Sequence, residues 1–435
     1  MDISAFYQKF KMPLIITGGV VLVGLLVWLL WLIFFKPATL LVSQPPLTPD
    51  ADLSGGLKPS ETGSPTTIIL DQNGQPIGLT PDTGLPVLDD LPQIDSQGSI
   101  FNVSDVALGG LTKITPIIPQ NSYQPPAIVG NSVRYYDATQ QRFIERQSDG
   151  STQRLSEDRF PSAEKVVWSK NGDKAVLEFP DGFNIIYDFK TKQQVTLPKE
   201  AEGFSFSPNS QQLAYKMQTN DFWQNWLRIS STDGERVVQT EHLGDNGKLV
   251  QVDWSPSNQV VAMYTKGETL DTQKIYPLGQ HQENLPSLRV AGRGFESEWD
   301  NTGDRLLYSV RNESTDHNPR LWITEARSDT MGENNIPLNI QTWAHKCTFT
   351  PNDERVICAV PKELPLGAGL FPELAADVEE DFYSIDIFTG QSTFLATPAA
   401  IPPGFKATDL TLSEDGALLV FRDESRGGIY EMRLR

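Results

Sequence analysis

Residues 204–217 read FSFSPNSQQLAYKM, and this stretch decides the fold that the sequence predicts. An apolar segment ends at Phe206, six polar or turn-forming residues follow, and a second apolar segment begins at Leu213. Pro, Asn and Ser favour tight turns, whereas aromatic residues favour strands. The stretch therefore predicts a β-hairpin within a mostly buried sheet.

The same pattern occurs six times along the chain. The residue that ends the first strand is, in order, Trp168, Phe206, Trp254, Trp299, Phe349 and Leu412, at spacings of 38, 48, 45, 50 and 63 residues. Several of the hairpins are followed by a third strand, such as residues 320–323, and some by a fourth, such as residues 194–197. Four strands at a period of about 45 residues predict the blades of a β-propeller.

A degenerate repeat precedes these six. Residues 130–137 match a second strand and residues 142–145 a third, but Pro126 stands where the first strand should end. We therefore predict an all-β fold, a seven-bladed β-propeller over residues 111–435, with six blades as the alternative. An irregular β-sandwich is the competing architecture, and the regular repeats favour the propeller.

The last repeat indicates how the propeller closes. It ends with a third strand, residues 428–433, and lacks a fourth. Residues 112–116 resemble the fourth strands of other repeats. Because closure removes open sheet edges, we predict that residues 111–117 supply the outer strand of the last blade.

The repeated W/F-S-P-N/D-G-x-x-L/V-A pattern resembles the Tol-B-like, or WD-like, β-propeller repeats of bacterial envelope proteins. The resemblance covers residues from about 111 to 435. It implies the propeller fold and a place in the cell envelope, and it implies no particular activity.

Residues 12–35 predict one transmembrane helix. They read MPLIITGGVVLVGLLVWLLWLIFF without a charge, and roughly 20 apolar residues cross a bilayer. A cleaved signal peptide is the alternative, but its apolar region would be shorter. Lys9 and Lys11 precede the run, so the positive-inside rule places residues 1–11 in the cytoplasm and the propeller outside it. The prediction is a single-pass cell-membrane protein.

Residues 36–110 predict a disordered linker. Ten prolines lie between Pro37 and Pro92, among Gly, Ser, Thr and Asp, and the apolar residues follow no regular period. Such a segment cannot bury enough surface to offset the entropy lost on ordering. We interpret it as a spacer that holds the propeller away from the membrane.

Composition disfavours several function classes. The chain has 36 Lys and Arg against 55 Asp and Glu, a net charge of −19, which opposes binding to nucleic acid. With 4 His and 2 Cys, a zinc cluster is not expected, and we predict no metal site and no cofactor. Neither a Gly-x-Ser-x-Gly nucleophile motif nor a complete dinucleotide-binding glycine motif occurs, so no catalytic residue is assigned.

Two segments are candidates for partner binding. The first is a long insertion in the sixth repeat, residues 361–380, because functional residues concentrate on long loops of rigid scaffolds. Its apolar side chains either form a binding patch bordered by acids or fold back as a cap; they are Leu364, Leu366, Leu370, Phe371 and Leu374. The second candidate is Phe222 with Trp223, for which blade packing is the alternative.

Cys347 and Cys358 are predicted to form a disulfide. They lie on the two strands of the sixth hairpin, and pairing Thr350 with Arg355 places the two cysteines directly opposite each other. Opposed residues on antiparallel strands have Cα atoms about 4.5–5.5 Å apart, which suits a disulfide. An extracytoplasmic location would allow the bond to persist. Two buried thiols are the alternative.

The sequence thus predicts a membrane-anchored, extracytoplasmic β-propeller that acts as a protein-binding or scaffold module at the cell envelope. Its partners would be the membrane, through the N-terminal helix, and an envelope protein or a surface glycan. The alternative is a propeller enzyme that acts on envelope or extracellular glycans. Carboxylates that converge on the central axis would favour the enzyme.

Overall fold

The computed structural model describes residues 93–94, 100–101, 103–118, 120, 122–399 and 404–435. The predicted cytoplasmic segment 1–11, the transmembrane helix 12–35 and most of the linker 36–110 lie outside these residues. No helix among the described residues combines the length and the apolar character that crossing a membrane requires.

Four short strands precede the first blade. They are β1 (Gln93–Ile94), β2 (Ile100–Phe101), β3 (Gly110–Lys113) and β4 (Thr115–Ile118). The first two pair only with each other, in antiparallel orientation. The other two extend blades that lie near the end of the chain, as described below.

Seven four-stranded antiparallel units, the blades, make up the rest of the fold. Blade 1 consists of β5 (Ala127–Val129), β6 (Ser132–Asp137), β7 (Arg142–Arg146) and β8 (Thr152–Arg154), and blade 2 of β9 (Lys165–Trp168), β10 (Lys174–Glu178), β11 (Asn184–Asp188) and β12 (Gln193–Leu197). Blade 3 consists of β13 (Ala201–Phe206), β14 (Gln212–Met217), β15 (Trp226–Ser231) and β16 (Val237–His242). Blade 4 consists of β17 (Val250–Val252), β18 (Ala262–Gly267), β19 (Gln273–Leu278) and β20 (Leu288–Val290).

Blades 5 and 6 consist of β21 (Arg293–Trp299), β22 (Arg305–Arg311), β23 (Arg320–Glu325) and β24 (Ile336–Pro337); and of β25 (Cys347–Phe349), β26 (Arg355–Pro361), β27 (Glu380–Asp386) and β28 (Ser392–Ala399). Blade 7 contains β29 (Ala407–Leu412), β30 (Leu418–Asp423) and β31 (Gly428–Arg433). Short 3-10 helices span Phe222–Gln224, Gly247–Leu249, Glu313–Thr315, Ala344–Lys346 and Pro372–Ala375. The prediction of a seven-bladed propeller is confirmed, including the degenerate first repeat as blade 1.

One hydrogen-bonded turn explains the sequence repeat. In blade 3, the hydroxyl of Ser207 accepts the backbone N–H of Gln212 at 2.9 Å, and Ser210 has a φ of 59°. The residue three positions after the side-chain acceptor has positive φ in all six repeats: Gly172, Ser210, Asn258, Gly303, Asp353 and Gly416. Gly, Asn and Asp tolerate this conformation best, which is why they recur there.

The hydrophobic core lies between neighbouring blades. In β10, Ala175 and Leu177 pack towards blade 1, whereas Val176 packs towards blade 3. Because successive side chains of a strand point to opposite faces, a blade covered on both faces needs apolar residues at consecutive positions. Seven such clusters occur, one for each pair of neighbouring blades, including blades 7 and 1.

The N-terminal segment closes this ring. β4 pairs with β31 and supplies the fourth strand of blade 7, so the predicted closure is confirmed for residues 115–117. β3 instead pairs in parallel with β28, as a fifth strand of blade 6 that the sequence analysis did not predict. Contacts begin before residue 111, since Ala107 N donates to Arg433 O and Gly109 N donates to Leu395 O.

The predicted disulfide joins β25 and β26. Cys347 lies directly opposite Cys358 in the strand register, as the sequence arithmetic required, and their sulfur atoms are bonded. Both residues belong to the core cluster between blades 5 and 6. The bond therefore fastens the first strand of blade 6 to its neighbour within the same sheet.

We expect the disulfide to add modest stability. The cysteines are 11 residues apart in sequence, and a loop of that length predicts about 2–3 kcal/mol from restriction of the unfolded chain. Reductant should lower the thermal unfolding temperature of the wild type and leave a Cys347→Ala/Cys358→Ala variant unchanged. Full alkylation of both thiols in denatured protein that was purified from its own cells without reductant would contradict the bond.

Candidate functional site

The strand order of the blades gives the propeller two distinct faces. First strands of neighbouring blades contact each other around the axis, as β9, β13 and β17 do. In every blade the connections from strand 2 to strand 3 emerge at the end where strand 4 leads to the next blade. We call this surface the 2–3 face and the opposite surface, which carries the strand 1–2 and 3–4 turns, the 1–2 face.

Exposed apolar side chains concentrate on the 2–3 face. Among the described residues, ten of the fifteen large exposed hydrophobic side chains lie on its connections. They are Tyr123, Phe183, Phe222, Trp223, Leu249, Leu270, Leu366, Leu370, Phe371 and Leu374. Single exposed apolar residues need no explanation, but clustering on one face indicates an interaction surface.

The blade-6 insertion, residues 361–380, supplies four of these ten. It connects β26 to β27 and lies against the corresponding connection of blade 5. Gly367 N donates to Asp316 O at 3.0 Å, and Gly369 N donates to His317 O at 3.1 Å. Arg311 also donates from its guanidinium to the carbonyl of Gly369. These bonds hold the insertion on two blades at once.

The side chains of the insertion divide into an anchor and a patch. Ala368 and Ala375 are buried against Trp343, and Leu364 and Val378 pack on the same cluster. The other four apolar side chains are between 44% and 73% exposed and form the insertion patch: Leu366, Leu370, Phe371 and Leu374. Leu364 therefore folds back onto the domain as the cap alternative requires, whereas the other four side chains stay exposed as the patch alternative requires.

A second apolar feature surrounds Trp223, which is 75% exposed. One face of its ring stacks on His242, with centroids 5.7 Å apart and planes 18° apart. Its backbone is fixed at both ends, since its N–H donates to Asp221 and its carbonyl accepts the indole N–H of Trp226. Phe222 packs edge-on against the same histidine. The structure thus presents an aromatic ring in a preset orientation.

Carboxylates also gather on the inner strands, which the sequence analysis had not located. Glu296 and Glu298 lie on β21, Asp409 on β29, and Asp253 directly after β17. Burial raises the pKa of Asp253 to about 6. Burial, and then the negative charges of Asp253, Asp409 and Glu296, raise the pKa of Glu298 well above its usual range.

Two of these four carboxylates pair with basic side chains. Asp409 accepts a 2.6 Å bond from Arg422, and Glu296 lies 2.7 Å from Nδ1 of His345. Glu298 has no such partner among the described residues. A carboxyl group whose pKa is raised by burial and by neighbouring carboxylates is an arrangement that acid–base catalysis uses. The sequence signal was FESEWD at 295–300, where two glutamates interrupt an otherwise apolar strand pattern.

The inner carboxylates do not form a metal site. No group of three or more His, Cys, Asp or Glu side chains in the described part of the chain is arranged to hold a metal ion. The four histidines lie in different parts of the ring. His345 is the one that contacts an inner carboxylate.

Clefts between neighbouring blades open on the 1–2 face of the described structure. The cleft between blades 2 and 3 has a volume of about 480 Å³, and the one between blades 7 and 1 about 230 Å³. Charged residues in each already pair, as Lys174 does with Asp188 at 3.8 Å and Arg146 with Glu431 at 2.8 Å. The charged groups in these clefts are therefore less available to a ligand than the exposed side chains of the 2–3 face.

The Asp253 carboxyl gives stability a defined pH dependence. Its pKa is raised in the folded state, so its favourable contribution exists at low pH and is lost as the pH rises through about 6. Asp253→Asn should therefore raise the unfolding temperature at pH 8, because it raises the free energy of unfolding there by up to about 3 kcal/mol. The gain should be smaller at pH 4. Thermal unfolding at both pH values measures this, with exposed Asp245→Asn as control. An equal effect of the substitution at both pH values would contradict this pH dependence.

Comparison with known proteins finds similar solved structures at low sequence identity. No protein-family model matches this chain, and no curated protein does. Similar structures include the Cps50 (Swd1) β-propeller domain of Myceliophteria thermophila, with 12% identity, TM-score 0.48, and coverage of 73% of this chain and 97% of that one. An oligogalacturonate lyase in complex with manganese has 10% identity, TM-score 0.47, and coverage of 74% and 93%.

Hydrazine synthase of Kuenenia stuttgartiensis is similar to the same extent, with 10% identity, TM-score 0.48, and coverage of 73% of this chain and 96% of that one. Likenesses at this level carry no argument about function. The sheet order and the closed ring of blade interfaces are what make this chain a seven-bladed β-propeller.

Proposed function

We propose that this chain is a membrane-anchored, extracytoplasmic β-propeller that binds a protein partner, or acts as a scaffold, at the cell envelope. The insertion patch carries the proposal: four exposed apolar side chains held on a buried anchor. Apolar surface that is fixed in place, rather than buried, favours association with a partner. The 2–3 face is the proposed binding surface.

Sequence features support the membrane and envelope parts of the proposal. The uncharged apolar run 12–35 is long enough to span a bilayer, and lysines precede it. Disulfides persist mainly outside the cytoplasm, and Cys347 and Cys358 form one. The repeat pattern resembles Tol-B-like propellers of the envelope. The Trp223 ring would be a second contact point, for the same protein or for a surface glycan.

Site-specific photo-crosslinking in intact cells tests this function. Phe371 and Phe388 lie in the same blade with nearly equal exposures of 57% and 55%, but Phe388 lies on the 1–2 face. A photoreactive residue at 371 should yield a discrete crosslinked species, and the same residue at 388 should not. Protease added to spheroplasts should release the crosslinked domain by cutting within residues 36–92.

Two results would contradict the proposal. Equal crosslinking from positions 371 and 388 would show that the 2–3 face is not the binding surface. Complete protection from external protease would place the propeller in the cytoplasm and refute the envelope location.

The inner carboxylates favour a second candidate, a propeller enzyme that acts on envelope or extracellular glycans. Glu298, whose pKa is raised well above its usual range by burial and neighbouring carboxylates, would be the general acid, and Asp253 the base or nucleophile. Glu298→Gln should then abolish cleavage of a polysaccharide substrate, whereas Phe371→Ser should not. No cleavage across a panel of envelope and extracellular polysaccharides, or equal cleavage by wild type and Glu298→Gln, would reject this candidate.

A further inference from the structure

The insertion carries more negative charge than its own contacts neutralise. Residues 361–380 contain one cation, Lys362, and five acids: Glu363, Glu373, Asp377, Glu379 and Glu380. Lys362 pairs with Glu379 at 2.8 Å, and also lies 3.8 Å from Asp381 outside the insertion. Glu380 pairs with buried Lys346 at 2.7 Å. The single cation and two of the five acids are therefore already engaged.

Three carboxylates remain, and we call them the insertion acids: Glu363, Glu373 and Asp377. All three are exposed, and none has an ion-pair or hydrogen-bond partner among the described residues. Glu373 stands between Phe371 and Leu374 in sequence, and Asp377 follows Leu374 by three positions. Uncompensated negative charge thus accompanies the apolar patch along the same short loop.

We propose, building on the protein-binding function above, that the insertion patch binds a protein segment whose apolar side chains are flanked by Lys or Arg. An interface of this kind has an apolar centre and a polar rim. Basic residues at the rim of the partner would pair with the insertion acids, which adds specificity and speeds association. A segment of this composition can form a basic amphipathic helix.

Charge disfavours the other occupants of this patch. A second copy of the chain that used the same patch would bring both sets of insertion acids together, because a twofold interface pairs a surface with itself. Anionic lipid headgroups would be repelled by the same carboxylates and by the net charge of −19. An acidic protein segment would meet like charges across the rim, which costs affinity.

Contacts beneath the patch favour binding without rearrangement. The backbone bonds of Gly367 and Gly369 to blade 5 and the burial of Ala368 and Ala375 fix the loop from below. A partner would therefore not have to order the loop, which lowers the entropy cost of association. Substitutions of the exposed side chains leave these anchoring contacts intact, so such variants should keep the fold.

The test uses the full-length protein in nonionic detergent and synthetic peptides fixed to a biosensor surface. One peptide is an amphipathic sequence of Leu and Lys, and the second has Glu in place of every Lys. Wild type should bind the Leu/Lys peptide at least about tenfold more tightly, which corresponds to about 1.4 kcal/mol. Phe371→Ser/Leu374→Ser should lose about tenfold in affinity for the Leu/Lys peptide.

A charge reversal separates specific from general attraction. Glu373→Lys/Asp377→Lys should weaken binding of the Leu/Lys peptide and strengthen binding of the Leu/Glu peptide. The matched control is Val237→Ser/Glu235→Lys, which makes the same two kinds of change at the β15–β16 turn on the 1–2 face, outside the proposed binding surface. Val237 is 53% exposed, and this control should bind both peptides as the wild type does.

The inference is overturned if wild type does not distinguish the two peptides, if the charge reversal has no effect, or if the control loses as much as the insertion variants. Crosslinking from position 371 distinguishes this failure from that of the proposed function. A partner captured there in cells, together with equal binding of both peptides, refutes only the basic character of the partner. Failure of crosslinking at 371 refutes the binding function itself.

Discussion

The whole domain depends on sheets that are apolar on both faces. A blade such as β9–β12 directs Leu177 to one neighbour and Val176 to the other, so neither face can be left in water. A row of such sheets would always leave two end faces uncovered. A ring leaves none, and the cluster between blades 7 and 1, with Val133 and Ile429, is the interface that completes it.

Closure of the ring requires one N-terminal segment to pair with two different blades. The segment from Gly110 to Ile118 first extends blade 6 as a parallel strand and then completes blade 7 as an antiparallel one. Nine residues thus connect the outer edges of two adjacent blades, and Thr112 within this segment and Ala107 just before it are buried. Separation of the ring at this point would expose the apolar faces of blades 7 and 1 together.

A ring of this kind is a rigid support for irregular loops. The inner strands place carboxylates close together, where burial shifts the pKa values of Asp253 and Glu298 upward and neighbouring negative charges add to the shift of Glu298. The outer ends of strands 2 and 3 support the blade-6 insertion, which is exposed and carries apolar and acidic side chains together. The first environment suits chemistry on a small group, and the second suits contact with another macromolecule.

Local patterns in the sequence were sufficient to predict the turns, the blade count and the opposed cysteines. Each depends on residues close in the chain: the acceptor at Ser207 and the positive φ at Ser210 lie three positions apart, and Cys347 and Cys358 lie on one hairpin. The consecutive apolar residues of a strand that is covered on both faces are likewise visible in a single segment, because side chains point to opposite faces in turn.

Only the tertiary structure decided what depends on distant segments. Glu298, Asp253 and Asp409 come from three blades, and their electrostatic coupling follows from where the ring places their strands around the axis. Leu364 and Leu366 are two residues apart, yet one packs on Trp343 and the other faces solvent, because blade 5 covers only one side of the loop. The second role of Gly110–Lys113, as an added strand of blade 6, depends on an edge formed almost 300 residues later in the chain. Local sequence carries no signal for such an arrangement, because it is created by the closure of the ring.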